Sequence, residues 1–200
     1  MTDTFMLALP VTDRSVRIFG GCAQSAMRAE QWLVEGARVT VIWPVIGDEV
    51  RQLCARYDGR AQWIERTVDA TQDLADVFAA VLVPVDSPLA APLFAVASAQ
   101  HRLFCAVDQP EFCTFYHVAT VRRGPMRFGI SSGGVAPGLA KRFREALEES
   151  LTPEFTAFAE RWAAARQRAA KGQRVEATAS FLRELFLQIR VTIAPSTERN

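Results

Sequence analysis

Apolar residues in the first half of the chain come in short bursts separated by amphipathic stretches, the pattern of strands alternating with helices. Val16, Ile18 and Phe19 predict a strand that Gly20 and Gly21 break. Ala26, Ala29, Trp32 and Leu33 share one face of a helix ended by Gly36, and Val39, Val41 and Ile42 predict a second strand. A short helix is expected over Gly47 to Gly59 through Val50, Leu53 and Cys54, then a strand over Ala61 to Glu65 and a helical turn over Leu74 to Phe78. An apolar strand over Ala79 to Val85, a helix over Pro88 to Gln100 and an apolar strand over Leu103 to Val107 complete the alternation. Continuously apolar strands between amphipathic helices predict a parallel sheet covered on both faces, with ligands at the carboxyl ends of its strands. Asp86 and Asp108 fall at two such ends.

After Phe112 the alternation stops. Phe115 to Val121 and Met126 to Ile130 predict two strands joined through Arg122, Arg123, Gly124 and Pro125, a hairpin too small to be stable alone and with edges to cover. Pairing with a second copy, and hence a homodimer, is the expected solution. Ser131 to Gly134 lead to Pro137, suited to the first turn of a helix through Leu139, Phe143, Leu147 and Leu151. Pro153 to Ala170 predicts a second helix through Phe155, Phe158, Trp162 and Ala165. Lys171, Gly172 and Gln173 punctuate it before a third, Val175 to Ile189, through Phe181, Leu182, Leu185 and Phe186, and Pro195 to Asn200 is expected to fray.

The turn at Gly20 and Gly21 joins a strand to a helix, as in sites that hold a nucleotide pyrophosphate on backbone N–H groups and a helix N-terminus. Of the three glycine positions in G-x-G-x-x-G only Gly20 is filled as expected; Cys22 and Ser25 occupy the others, and Gly21 the free position. Either the turn holds a pyrophosphate or it only packs helix on strand.

Composition narrows the function classes. Of 200 residues half are hydrophobic and 22% charged, with a formal net charge of +1, which gives no dedicated nucleic-acid surface. No apolar run reaches membrane-spanning length and the N-terminus lacks a signal-peptide pattern, so neither nucleic acid nor membrane is an expected partner and the expected location is cytoplasmic. Cys22, Cys54, Cys105 and Cys113 show no C-x-x-C and no zinc spacing, so reduced thiols and no metal site are expected. Of the two imidazoles, His101 ends a helix, and His117 follows the Asp108 loop in a strand, facing either ligand or core.

Two strings carry a resemblance. SSGGVAPGLAKRFREALEESL, Ser131 to Leu151, keeps Ser131, Ser132, Gly133, Gly134, Pro137, Leu139, Ala140, Arg144 and Glu148 of an S-S-G-G-x-S-P-x-L-A-x-x-x-R-x-x-[IL]-E signature, and CAVDQPEFCTF, Cys105 to Phe115, keeps Val107, Asp108, Pro110 and Phe115 of N-V-V-D-x-P-x-x-x-x-F. With the order of elements, they resemble the precorrin-2 dehydrogenase/sirohydrochlorin ferrochelatase domain that begins siroheme synthases. The resemblance implies an α/β fold: an NAD-type Rossmann parallel sheet over 1–112, a β-hairpin/helix dimerisation segment over 113–150 and a helical C-terminal domain over 151–200. It implies NAD-dependent oxidation of precorrin-2 to sirohydrochlorin in siroheme biosynthesis, with ferrous iron as a further substrate in members that also chelate.

Read by its position alone, Asp108 is a D-x-P turn residue bonding its own backbone; the resemblance reverses this and makes it the catalytic group, accepting a proton. The cofactor positions are Gly20, Gly21, Cys22, Ala23, Gln24, Pro44, Val45 and Asp86. Substrate positions are Ser132, Gly133, Arg127, Lys141 and His117. A tetrapyrrole rich in carboxylates needs donors, and Arg122, Arg123, Arg127, Lys141, Arg142 and Arg144 form a dense basic group, though Arg122 and Arg123 also suit a solvated hairpin tip, and Ser132 suits a helix cap. The family's G-G-G-x-V-A turn reads Gly20 to Ser25 here, with Cys22 for the third glycine and Gln24 and Ser25 for V-A. Its A-T-D-D reads Val83, Pro84, Val85, Asp86, and its asparagine reads Cys105. A Cβ at Cys22 or Ser25 and the missing donor of Pro84 oppose close approach of a pyrophosphate. The alternative is therefore a degenerate member that binds a tetrapyrrole or another anionic ligand without NAD-dependent redox chemistry.

Overall fold

The computed structural model describes residues 4–168. The predicted helix at Val175 to Ile189, the last residues of the helix before it and the tail lie outside the described residues. Cα proximity divides the chain into two units, Phe5 to His117 and the part from Val118 onward.

In the first unit β1 (Ser15–Phe19), β2 (Arg38–Ile42), β3 (Ala61–Ile64), β4 (Ala79–Leu82) and β5 (Leu103–Ala106) alternate with α1 (Ala23–Leu33), α2 (Asp48–Arg56), α3 (Ala70–Leu74) and α4 (Ala90–Ala99). All strand pairs are parallel, in the order β3-β2-β1-β4-β5. The chain thus starts in the middle and winds first one way, then the other, so the direction reverses between β1 and β4. Phe19 at the end of β1 stands beside Ile42 of β2 and Leu82 of β4.

Apolar residues on both sides of each strand explain this layering. Val16, Ile18, Val39, Val41 and Val81 pack with Ala26, Ala29, Trp32 and Leu33 of α1 and Val50 and Leu53 of α2. On the opposite face Phe19, Ile42, Ala80, Leu82 and Phe104 pack with Leu74, Leu93 and Ala97. Each large side chain sealed there, such as Phe19, Leu93 or Phe104, contributes about 1.5–3 kcal/mol by its burial.

Several boundaries differ from expectation, for local reasons. The helical turn expected over Leu74 to Phe78 lies earlier, at Ala70–Leu74, because the Asp69 carboxylate accepts the N–H groups of Thr71 and Gln72 and starts it there. β4 ends at Leu82 rather than Val85: Val83 still donates to the Phe19 carbonyl, but Pro84 has no N–H to continue the ladder. The strand expected from Phe115 begins only at Ala119, since Phe115 and His117 turn their rings onto Trp32.

The second unit opens with the antiparallel hairpin of β6 (Ala119–Arg123) and β7 (Met126–Ile130), followed by α5 (Pro137–Ser150) and α6 (Pro153–Arg168). Gly124, at φ 52°, makes the turn. Arg123 is not a solvated tip residue. Its guanidinium donates to the carbonyls of Glu148 and Leu151, satisfying the open C-terminal end of α5.

One buried charge ties the first unit together. Asp73 is 1% exposed and accepts two bonds from the Arg66 guanidinium and one from Asp69 N–H, with Arg17 at 3.6 Å. Burial pushes the Asp73 carboxyl up, but the Arg66 and Asp69 bonds and the charges of Arg66 and Arg17 outweigh it and hold it below the usual carboxylate range. A depressed folded value means stability that is present above the unfolded pKa of about 3.9 and lost as pH falls through the lower folded value. Asp73→Asn should therefore lower the unfolding free energy at pH 7 by about 1.5–3 kcal/mol. Urea denaturation of both proteins at descending pH checks this: the gap between them should close in acid, and a gap independent of pH would contradict the account.

Candidate functional site

Where strand order reverses, the loops after β1, β2 and β4 enclose a crevice of about 450 Å³ lined by Gly21, Cys22, Gln24, Trp43, Val45, Val83, Pro84 and Val85. Open α/β sheets bind ligands at this place, outside the carboxyl ends of the strands at the switch in winding direction. The volume lies in the range of small-molecule sites. Val45 is 73% exposed and Val85 49% exposed, so the rim offers apolar surface to a ligand. Trp43 is steadied from behind, its carbonyl accepting Trp63 Nε1–H at 2.8 Å.

The glycines shape the crevice floor by close packing. A Cβ on Gly21 would stand 2.1 Å from the Val45 carbonyl oxygen, and the Gly21 carbonyl accepts Gly47 N–H at 2.7 Å. The loops after β1 and β2 are thus in backbone contact. A Cβ on Gly20, whose φ is 142°, would stand 2.6 Å from Ser25 Oγ. Ser25 is fully buried there, so the serine that departs from the fingerprint fills the helix-to-strand contact rather than the crevice.

Cys22 is the N-cap of α1 and makes no side-chain capping bond; the first turn holds no acidic residue. Partial burial pushes its thiol up, but the contact with the Ser25 hydroxyl and the nearby N–H dipoles of Ser25, Gln24 and Cys22 hold it below the ordinary thiol value. The positive end of α1 thus favours an anion at the crevice wall.

Of the predicted cofactor positions, Gly21, Cys22, Gln24 and Val45 line the crevice, Gly20, Ala23 and Pro44 adjoin them in the chain, and Asp86 follows Val85, exposed at φ 54°. Trp43, Val83, Pro84 and Val85 also line it and were not among the predicted cofactor positions; Val83, Pro84 and Val85 stand where the resemblance has A-T-D, and the apolar end of β2 was the only signal for Trp43.

Asp108 follows β5, exposed at φ 58°, and its turn is closed by Gln109 N–H on the Ala106 carbonyl. Among the described residues its carboxylate takes no hydrogen bond, so the D-x-P side-chain turn is not what employs it. His117 packs edge-on to Trp32 and Phe115 at 5.9 and 5.1 Å between centroids, with Nε2 buried and unpartnered.

In the second unit the Ser132 hydroxyl accepts Ala136 N–H at 3.0 Å, just ahead of α5, and Gly133 is exposed at φ 62°. Lys141 is exposed, 4.0 Å from Glu145, and Arg127 donates to the carbonyls of Gly124 and Met126 in the hairpin turn. A hollow of about 580 Å³ in this unit is lined, among the described residues, by Glu148, Glu149 and Glu160 with Arg123, a lining that opposes a carboxylate-rich ligand.

Comparison with known proteins adds the following. The model of the family described as "Putative NAD(P)-binding" matches residues 7–119. Siroheme synthase 1 of Yersinia enterocolitica is 32% identical over 163 residues, 80% of this chain and 34% of that protein; siroheme synthase of Actinobacillus pleuropneumoniae is 30% identical over 156 residues, 76% and 32% respectively. The chain spans about a third of the length of these curated relatives. The solved structure of SirC, precorrin-2 dehydrogenase, matches at 22% identity with a TM-score of 0.68, covering 90% of this chain and 98% of that one, a likeness of fold.

Burial, first, and the nearby Arg28 charge push the His117 imidazole down to about 4. The folded chain therefore keeps it neutral while the unfolded chain, with a value near 6.5, binds the proton; stability held above about pH 6.5 is lost as pH falls towards 4. Thermal melts at pH 7 and pH 5 should show a larger fall in Tm for the parent than for His117→Phe, which keeps a ring between Trp32 and Phe115. Equal falls would place the imidazole in solvent.

Proposed function

This chain belongs to the NAD(P)-binding family whose model spans residues 7–119, and on that premise we propose that it is a siroheme-biosynthesis protein that oxidises precorrin-2 to sirohydrochlorin with NAD. The observation that carries the reading is the crevice at the carboxyl ends of β1, β2 and β4, the nucleotide place of this topology. The named activities of the siroheme synthases and of the SirC structure supply the substrate class.

The residues fit a dinucleotide: backbone and the α1 N-terminus for phosphate, Val45 and Val85 for apolar faces. NAD supplies the hydride acceptor. Gly20 to Gln24 with Pro44, Val45 and Asp86 would hold it, and Asp108, exposed and with no hydrogen bond to its carboxylate among the described residues, takes the proton released from the macrocycle. Ser132, Gly133, Arg127 and Lys141 offer donors to its carboxylates, whereas the Nε2 of His117 is buried and presents no exposed donor or acceptor. Ferrous iron enters as a second substrate, Asp108 then accepting pyrrole N–H protons. In this reading residues 1–112 serve the nucleotide, 113–150 dimerisation and 151–200 a helical domain, in a cytoplasmic homodimer. The open edges of the two-stranded β6–β7 sheet support the dimer.

A second reading, ligand binding without redox chemistry, draws support from Cys22 and Pro84 in the crevice wall, which bring a Cβ and a missing N–H where a pyrophosphate needs backbone donors. Thermal shift separates the two. At one hundred times Kd, NAD should stabilise by about 2.7 kcal/mol, a rise in Tm of about 5–10 °C for a chain of this length. No shift with NAD but a shift with sirohydrochlorin would favour the second reading.

Asp108→Asn tests the chemistry. Asn is at home at positive φ, so fold and NAD shift should persist, while turnover falls at least about a hundredfold. Full activity in the variant would defeat the assignment. Sedimentation at micromolar concentration should give a dimer; a monodisperse monomer would remove that part of the proposal.

A further inference from the structure

Two cysteines face each other at the end of β5. Cys105 is the third residue of the strand and buried; Cys113 follows a 3-10 turn over Pro110–Phe112 and returns beside it in an isolated antiparallel bridge. Thr114 N–H bonds the Phe104 carbonyl at 2.8 Å, which makes Cys105 and Cys113 a pair of the non-hydrogen-bonded kind, the kind whose side chains approach most closely. Cα atoms in such pairs stand about 4.5 Å apart, within the roughly 4.4–6.8 Å that a disulfide spans. The sulfurs are already 3.8 Å apart. No Sγ of Cys22 or Cys54 has a sulfur neighbour among the described residues.

The two thiols are unequal. The hydrogen bond between the two thiols holds Cys113 below the ordinary thiol value, against burial and the Glu111 charge, while the Cys113 neighbour and burial push Cys105 up. Cys113 is half-buried and reachable; Cys105 is shielded. The Cys113 thiol also reaches the carbonyls of Ala106 at 3.2 Å and Gln109 at 3.3 Å, which bracket Asp108.

We propose that Cys105 and Cys113 form a reversible dithiol–disulfide couple, oxidised by a low-molecular-weight disulfide of the glutathione class, which closes the loop carrying Asp108. The Cys113 thiolate attacks one sulfur of the oxidant, forming a mixed disulfide and releasing one thiolate. Cys105 then gives up its proton and attacks Cys113 Sγ, expelling the second thiolate. Two protein thiols become one disulfide and one oxidant becomes two thiols. Oxidation removes the S–H that served the Ala106 and Gln109 carbonyls, so the Asp108 loop passes from a hydrogen-bonded to a covalently closed state. In a reducing compartment such pairs act as transient redox sensors. The couple does not depend on the reaction proposed above, and its readout is a mass.

The test is to incubate the reduced, folded full chain with graded ratios of glutathione disulfide to glutathione, quench in acid, alkylate and map peptides. The expected product has lost two hydrogens, alkylates at two of its four cysteines, and yields one cross-linked species joining Cys105 to Cys113 that dithiothreitol reverses. Cys105→Ser should stop at a glutathione adduct on Cys113, and Cys113→Ser should form no internal bond, while Cys22→Ser and Cys54→Ser should behave as the parent. A persistent glutathione adduct on Cys113 in the parent, an internal bond through Cys22 or Cys54, or four alkylated thiols after oxidation would each overturn the proposal.

Discussion

Gly21 leaves no room for a single atom beyond its backbone, and the crevice exists because of that. A Cβ there would lie 2.1 Å from the Val45 carbonyl oxygen, and the bond from Gly47 N–H to the Gly21 carbonyl locks the same contact. Two chain segments that leave neighbouring parallel strands are thereby held backbone to backbone. Val45 and Trp43 stand as one wall beside Cys22 and Gln24, and the start of α1 is aimed at the gap between them. The sheet sets where a ligand site falls, through the reversal at β1; the glycine contact sets how close its walls come.

This changes what the altered fingerprint means. The third position of a dinucleotide turn serves close packing of helix on strand, and here the buried Ser25 meets that need, its Oγ filling the space beside Gly20. The substitution that bears on a ligand is Cys22, whose residue lines the crevice at the start of α1. A side chain at that place takes up room that a pyrophosphate needs to approach the backbone N–H groups. Sequence reasoning treated Cys22 and Ser25 alike because their spacing in the motif is all that a sequence displays; the structure separates them by which side of the turn each occupies.

The parallel sheet was legible because its cause is local: continuously apolar strands and one-sided helices occur within short windows, so β1, α1, β2 and β5 fall close to where the pattern puts them. Elements that depend on distant partners were not. Asp73 looks like any acidic residue in a short helix, and only the fold brings Arg17 and Arg66 to it. Arg123 reads as part of a charged hairpin tip until α5 returns to present its carbonyls. Cys105 and Cys113 read as scattered because eight positions and a 3-10 turn separate them, and no periodicity encodes a chain that folds back on its own strand.

Asp108 shows how much of a residue the backbone explains. Its φ of 58° is a conformation that most side chains avoid and that short polar ones accept; Asp13 and Asp86 occupy the same region elsewhere in this unit. The loop therefore asks for a small polar side chain at that point, and asparagine would answer equally well. It does not ask for a charge. No donor among the described residues meets the carboxylate, no cation is paired with it, and the turn closes through Gln109 and Ala106 instead. Backbone geometry thus accounts for the position and the size of the side chain and leaves its acidity unaccounted for by the fold, so the case for a proton acceptor at residue 108 rests on the one property that the surrounding structure does not use.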